Sequence, residues 1–224
     1  MFRSPRTTLA AAIALAFGAA AVWFVAFRTA TGASVDATIM TGFLERRGPR
    51  VDRLAHAVAH LADPAPFALA TVAIVVVALL RRRPWLAAVA GVVLIGASVT
   101  TQALKVLTAE PRLANAMAGG WVDAASWPSG HATAAMTMAL CAAIVTPARW
   151  RALVLVVGST GAIAVAYSVL VLGWHLPSDV LGGFCVAGVW ALLGITAATT
   201  LERRRRLERS PRGSPLAPAA ATAD

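Results

Sequence analysis

The strongest constraint on this chain is the recurrence of long apolar runs separated by short arginine-bearing turns. A helix that crosses about 30 Å of hydrocarbon needs roughly 20 apolar residues. Six stretches approach that length: Thr7 to Phe27, Leu61 to Leu80, Trp85 to Leu104, Ala132 to Thr146, Ala152 to Leu172 and Val180 to Leu201. Charged residues make up only 13% of the chain, against roughly 25% in soluble domains, which excludes a soluble helical bundle. The expected fold is all-α, a polytopic membrane protein with six transmembrane helices in one bundle over residues 1–201. Residues 202–224, rich in Arg and then in Pro and Ala, read as a disordered cytoplasmic tail.

Within that frame the first run reads as a retained anchor. It follows Arg3 and Arg6, as a signal peptide would, but it exceeds the apolar region of about 7–15 residues that such peptides carry. Between it and the second run, Val51, Leu54, Val58 and Leu61 recur at helical spacing and predict an amphipathic helix on the membrane surface. Cys141 and Cys185 fall inside different runs, with neither a disulfide pattern nor metal spacing, and read as small packing residues.

Orientation follows from the arginines. With the N-terminus inside, the cytoplasmic segments hold thirteen of the twenty Lys and Arg residues, and the outer segments hold seven of the ten acids. The positive-inside rule therefore predicts a cell-membrane protein with both termini cytoplasmic and the 105–131 and 173–179 segments outside. The net charge of +10 then faces anionic lipid headgroups and does not imply nucleic acid.

Polar residues are few enough to weigh one by one. Trp127-Pro128-Ser129-Gly130-His131 precedes the fourth run. Ser129 stands where a helix N-cap belongs, Gly130 leaves the backbone open, and His131 sets an imidazole beside unpaired N–H groups. Such a terminus can bind a phosphate, or it can be a plain cap. Lys105 is the only lysine in the chain, and Arg112 follows seven residues later. A compact ammonium and a planar guanidinium both suit phosphate oxygens, and both also suit the membrane interface. Beyond Arg112, residues 114–126 show no period and read as a loop, with Trp121 and Trp127 as interfacial anchors. His175 and Asp179 lie four apart, with Gly173 before them and Pro177 between. A carboxylate on one imidazole nitrogen fixes the tautomer and strengthens the other as a nucleophile. His56 and His60 also have a spacing that could hold a metal, but without a third ligand they read as a solvated face.

Lys105 with Arg112, Pro128-Ser129-Gly130-His131, and Ser168 with His175 and Asp179 together resemble the three-part signature of the type 2 phosphatidic acid phosphatase family. That superfamily also includes the vanadium haloperoxidases, which are soluble where this chain is not. The resemblance extends over roughly residues 30–200. It departs from the family pattern twice. Pro111 precedes Arg112, where the family has Pro after Arg, so Glu110-Pro111 offers a second alignment. Val169 follows Ser168, where the family has an arginine. A charge-assisted hydrogen bond is worth about 1.5–3 kcal/mol, so this loss implies about a ten- to few-hundredfold deficit in rate. Arg46, Arg47 and Arg50 lie in a predicted outer segment and are candidates to replace the missing cation.

The resemblance implies a phosphatase that needs no metal or other cofactor. His175, held by Asp179, would attack phosphorus, and His131 would protonate the departing oxygen. Lys105, Arg112, Ser129 and Gly130 would bind the phosphate. The implied substrate is a lipid phosphate such as a polyprenyl diphosphate or phosphatidate. Alternatives on the same fold are a phosphotransferase and a lipid-phosphate binding or transport protein without turnover.

Overall fold

The computed structural model describes residues 4–118 and 122–209. Among them are nine α-helices: α1 Pro5–Arg28, α2 Ala30–Leu44, α3 Pro49–Ala59, α4 Pro64–Leu80, α5 Pro84–Leu107, α6 Leu113–Met117, α7 Gly130–Val145, α8 Ala148–Val171 and α9 Pro177–Arg209, with a 3-10 turn at His60–Ala62 before α4. Five of them start on proline, whose fixed φ and missing N–H are harmless in the first helical turn.

Four helices, α1, α5, α8 and α9, are long and apolar enough to cross a membrane. A fifth span results if α3 with its 3-10 turn and α4 are counted together across their 47° bend. The expected fourth run is a shorter apolar helix, α7, of 16 residues, or about 24 Å at 1.5 Å per residue. Its limits are local. Ser129 caps its start, and Thr146, extended because Pro147 follows it, ends the helix. The described residues therefore support four or five spans by length, fewer than the six expected.

The stretch expected to be a surface helix forms α3 and the turn after it; Ala55 and Ala59 pack on Ala166 and Val169 of α8 while Leu54 and Leu61 stay exposed. Two further helices lie outside the apolar runs. α2 is capped by Thr29 and packs Ala33, Ala37 and Met40 against Ala114, Val122 and Leu176. α6 occupies part of the segment expected to be a loop. At the other end, α9 continues through Arg209, beyond Leu201 where its span was expected to stop. Arg3, Trp121 and residues 210–224 of the expected tail lie outside the described residues.

α7 is the centre of the bundle, in contact with α4, α5, α8 and α9. Small residues at Ala132, Ala135, Ala139 and Ala143 are buried along it, which lets neighbouring backbones come close. The closest approach is to α9, where a Cβ on Gly183 would stand 2.7 Å from the Ser129 carbonyl oxygen. The two ends of the bundle differ in charge. Thr8 of α1 meets Thr196 of α9 at 2.7 Å, so the start of the chain and the end of α9 lie together. Arg205 packs over Trp85 at the start of α5, and Arg81 donates to the carbonyl of Val145 at the end of α7. The arginine-rich turns thus share one end. The end of α5 and the starts of α4, α7 and α9 form the other.

Candidate active site

The candidate site lies at the end of the bundle opposite the arginine-rich turns. It is built where α8 stops. Gly173, at φ +76°, takes the left-handed position that closes a helix. Trp174 N–H then donates to Val169 O at 2.9 Å and Gly173 N–H to Leu170 O at 3.0 Å, the paired bonds of a Schellman cap. The chain leaves this turn with His175 buried, only 6% exposed. Two residues on, Pro177 opens α9. Asp179, in its first turn, accepts from the Leu176 N–H at 2.9 Å, as an acid at the third helical position does in a capping box.

The same carboxylate faces His175, whose Nδ1 lies 3.5 Å from Oδ2 of Asp179. That distance is within ion-pair reach but beyond a good hydrogen bond, and Nδ1 has no hydrogen-bond partner. The backbone of Asp179 has a second task. Its carbonyl accepts the Ser129 N–H at 2.8 Å, which ties the start of α7 to the start of α9. Ser129 is fully buried, with its hydroxyl 3.3 Å from the Ala132 N–H. This tie sets the ring of His131 6.2 Å from that of His175, with Trp174 5.4 Å from His131.

On the far side of His131 lies a cavity of about 290 Å³ between α4, α5 and α7. Lys105, Gly130, His131, Asp63, Thr101 and Gln102 are among its lining residues. A Cβ on Gly130 would meet no atom within 4 Å, so the helix start is open there, and its first N–H groups have no carbonyl one turn back to receive them. Lys105, Ser129, Gly130 and His131 are thus brought together. His175 and Asp179 stand directly behind, though neither lines the cavity.

Arg112 is placed differently. Its side chain is 2% exposed and its guanidinium is occupied by protein: one nitrogen donates to Asp179 Oδ1 at 2.5 Å, the other to Asp36 Oδ2 at 2.6 Å and Ser178 Oγ at 2.7 Å. The group lies 4.2 Å from the ring centroid of Phe27. Asp36 also accepts from the Ser178 N–H at 2.9 Å and its hydroxyl at 2.6 Å. Burial raises the Asp36 carboxyl above the usual carboxylate range, with Ser178 and Arg112 opposing the rise. Arg112 therefore braces Asp179 and is turned toward carboxylates where the sequence predicted a phosphate ligand.

Val169, where the resemblance leads one to expect an arginine, has no exposure and packs with Ala132, Ala166 and Val180. The candidate replacements lie elsewhere. Arg46 donates to Gly42 O at 2.6 Å, Arg47 pairs with Asp52 at 3.3 Å, and none of Arg46, Arg47 and Arg50 lines the cavity. His56 and His60 stack at 6.0 Å, and among the described residues no three metal-ligating side chains converge.

Sequence reasoning missed two acids, Asp36 and Asp63. Asp36 is the only charged residue in α2, and an ionisable group in an apolar helix is a functional candidate by default. Asp63 carried no such signal.

The profile of the PAP2 superfamily matches residues 85–203, a stretch that contains Lys105, Arg112, the Ser129 cap and the His175–Asp179 turn. A crystal structure of a transmembrane PAP2-type phosphatidylglycerolphosphate phosphatase from Bacillus subtilis resembles this chain with a TM-score of 0.60 at 20% identity. The match covers 94% of this chain and 100% of that one, and at that identity it speaks for the fold. No curated protein matches the sequence significantly.

Proposed function

Because the chain belongs to the PAP2 superfamily, we propose that it is an integral-membrane lipid phosphatase working through a phosphohistidine. Nδ1 of His175 faces Asp179, which leaves Nε2 to attack phosphorus. An N–P bond forms as the P–O bond to the lipid breaks, and His131 gives its proton to the departing oxygen. Water then gives a proton to His131, attacks phosphorus and releases phosphate as the N–P bond breaks. Lys105 and the N–H groups at the start of α7 answer the charge on the phosphate oxygens. The pairing of two imidazoles, one facing Asp179 and the other beside Lys105 at the open start of α7, carries this reading.

A lipid phosphate presented at the end of the bundle fits the position of the site. Polyprenyl diphosphates, phosphatidate and phosphatidylglycerolphosphate are the candidates. The grouping of arginine-rich turns at the opposite end supports a cytoplasmic assignment for those turns and for both termini, with the site at the outer face of the cell membrane. The test is phosphate release from these lipids in detergent micelles, in the presence of a chelator, by wild type and by His175→Ala. Release at the same background rate by both proteins rejects the hydrolase reading.

A second reading has support from Val169 and Arg112. With one arginine replaced and the other held by carboxylates, Lys105 is the cation left at the cavity. A protein that binds lipid phosphate without turning it over fits that shortage. It would show saturable binding of lipid phosphate and no release.

A further inference from the structure

Asp63 stands at the N-cap of α4, where an aspartate ordinarily accepts from the second or third backbone N–H of its helix. Its side chain makes no such bond. The third helical position is Pro66, which has no N–H to offer. Both carboxylate oxygens turn instead to histidines. Oδ2 lies 2.7 Å from Nδ1 of His60, and Oδ1 lies 3.2 Å from Nε2 of His131.

The two imidazole–carboxylate pairs of the site therefore differ in one respect. Asp179 shares its charge with Arg112. Asp63 has no Lys or Arg within ion-pair distance among the described residues, and its partners are the two imidazoles. An unanswered carboxylate favours the charged imidazole more than one already paired with a guanidinium. The mechanism needs that inequality, because His131 must hold a proton while His175 must not.

From this we infer that Asp63 is a positioning residue for the acid–base step: it holds His131 by Nε2, favours its protonated form, and is itself held from the other side by His60. The inference rests on the reading of His131 as the proton donor. The charged or titratable groups that face His131 are Asp63 from the start of α4, Lys105 from α5 and His175 from the α8–α9 turn; burial, His175 and Lys105 lower the imidazole below its ordinary value, and Asp63 opposes them. His60 reaches it through Asp63.

The test compares wild type, Asp63→Asn and Asp63→Glu by two readouts. The first is NMR titration of ¹⁵N-labelled His131 in micelles, assigned with a His131→Ala control among the four histidines of the chain. It does not depend on turnover. The second is the pH profile of kcat/KM for a lipid phosphate. In Asp63→Asn the His131 titration and the alkaline limb of the profile both move to lower pH. The rate falls about tenfold, a fraction of what a general acid supplies, and KM changes little. Asp63→Glu restores both. An unmoved His131 titration in Asp63→Asn overturns the inference, as does faster turnover, which would mean that the carboxylate only opposes phosphate. If wild type releases no phosphate, the phosphatase reading fails, while the titration still decides whether Asp63 holds His131 charged.

Discussion

Replacing Arg112 with methionine separates a structural guanidinium from a phosphate ligand. The Arg112 side chain is 2% exposed, and those of Asp36 and Asp179 are 7% and 0%, so solvent does little to screen the pairs. Removing one partner from a buried ion pair costs about 3–5 kcal/mol. Here the change strands two carboxylates, and Asp36, whose carboxyl burial already raises, is the one expected to take up a proton. That protonation becomes easier as pH falls, so the gap between variant and wild type should be widest at alkaline pH and narrow toward acid. At about 2–4 °C per kcal/mol for a chain of this size, thermal unfolding in detergent should drop by about 6–20 °C. Adding Asp36→Asn removes one of the stranded charges, and the double variant should be less destabilised than the two single losses summed, by about 0.5–3 kcal/mol. An Arg112→Met protein with unchanged unfolding and a raised KM would refute the reasoning and return the guanidinium to the substrate.

Three further outcomes are expected. His175→Ala should abolish phosphate release, and prior chelation of divalent metals should leave the wild-type rate unchanged, both read in the micelle assay. Val169→Arg should lower thermal stability by about 1–3 kcal/mol, the usual cost of overpacking, yet tighten inhibition by inorganic phosphate about tenfold or more, as one added charge-assisted bond would; unchanged inhibition would mean that the side chain does not reach the phosphate. Gly183→Ala would set a Cβ 2.7 Å from the Ser129 carbonyl oxygen, so it should separate α7 from α9 and reduce kcat far more than KM.

Much of this was readable in the sequence because apolar length and proline placement are local signals. Pro84 and Pro177 mark the starts of α5 and α9, and Ser129 caps α7 where its sequence neighbours predict. His131, His175, Lys105 and Asp179 were singled out by their spacing and the resemblance it carries. The direction of Arg112 was not, because it depends on Asp36, an acid 76 residues away that pairs with it only once α2 packs beside α6 and α9. The same holds for Asp63, whose partner His131 lies 68 residues on. The expected fourth span, α7, falls short in length for a related reason. A helix shielded by neighbours on several sides need not match the length of a lipid-facing one, and apolar composition alone does not tell the two apart.

The Ser129-to-Asp179 backbone bond has a consequence for life in a bilayer of variable thickness. Helices adapt to thinner or thicker membranes chiefly by tilting, and tilt displaces side chains most where they depend on packing across long helices. The donor and the nucleophile are instead joined at the rim through a single main-chain link of 2.8 Å, one residue from each of the turns that carry them. Tilting of α4 or α5 can therefore widen or narrow the cavity around a lipid tail while the distance between the two imidazoles stays nearly fixed. The part that must adapt to the membrane is mechanically separate from the part that must not.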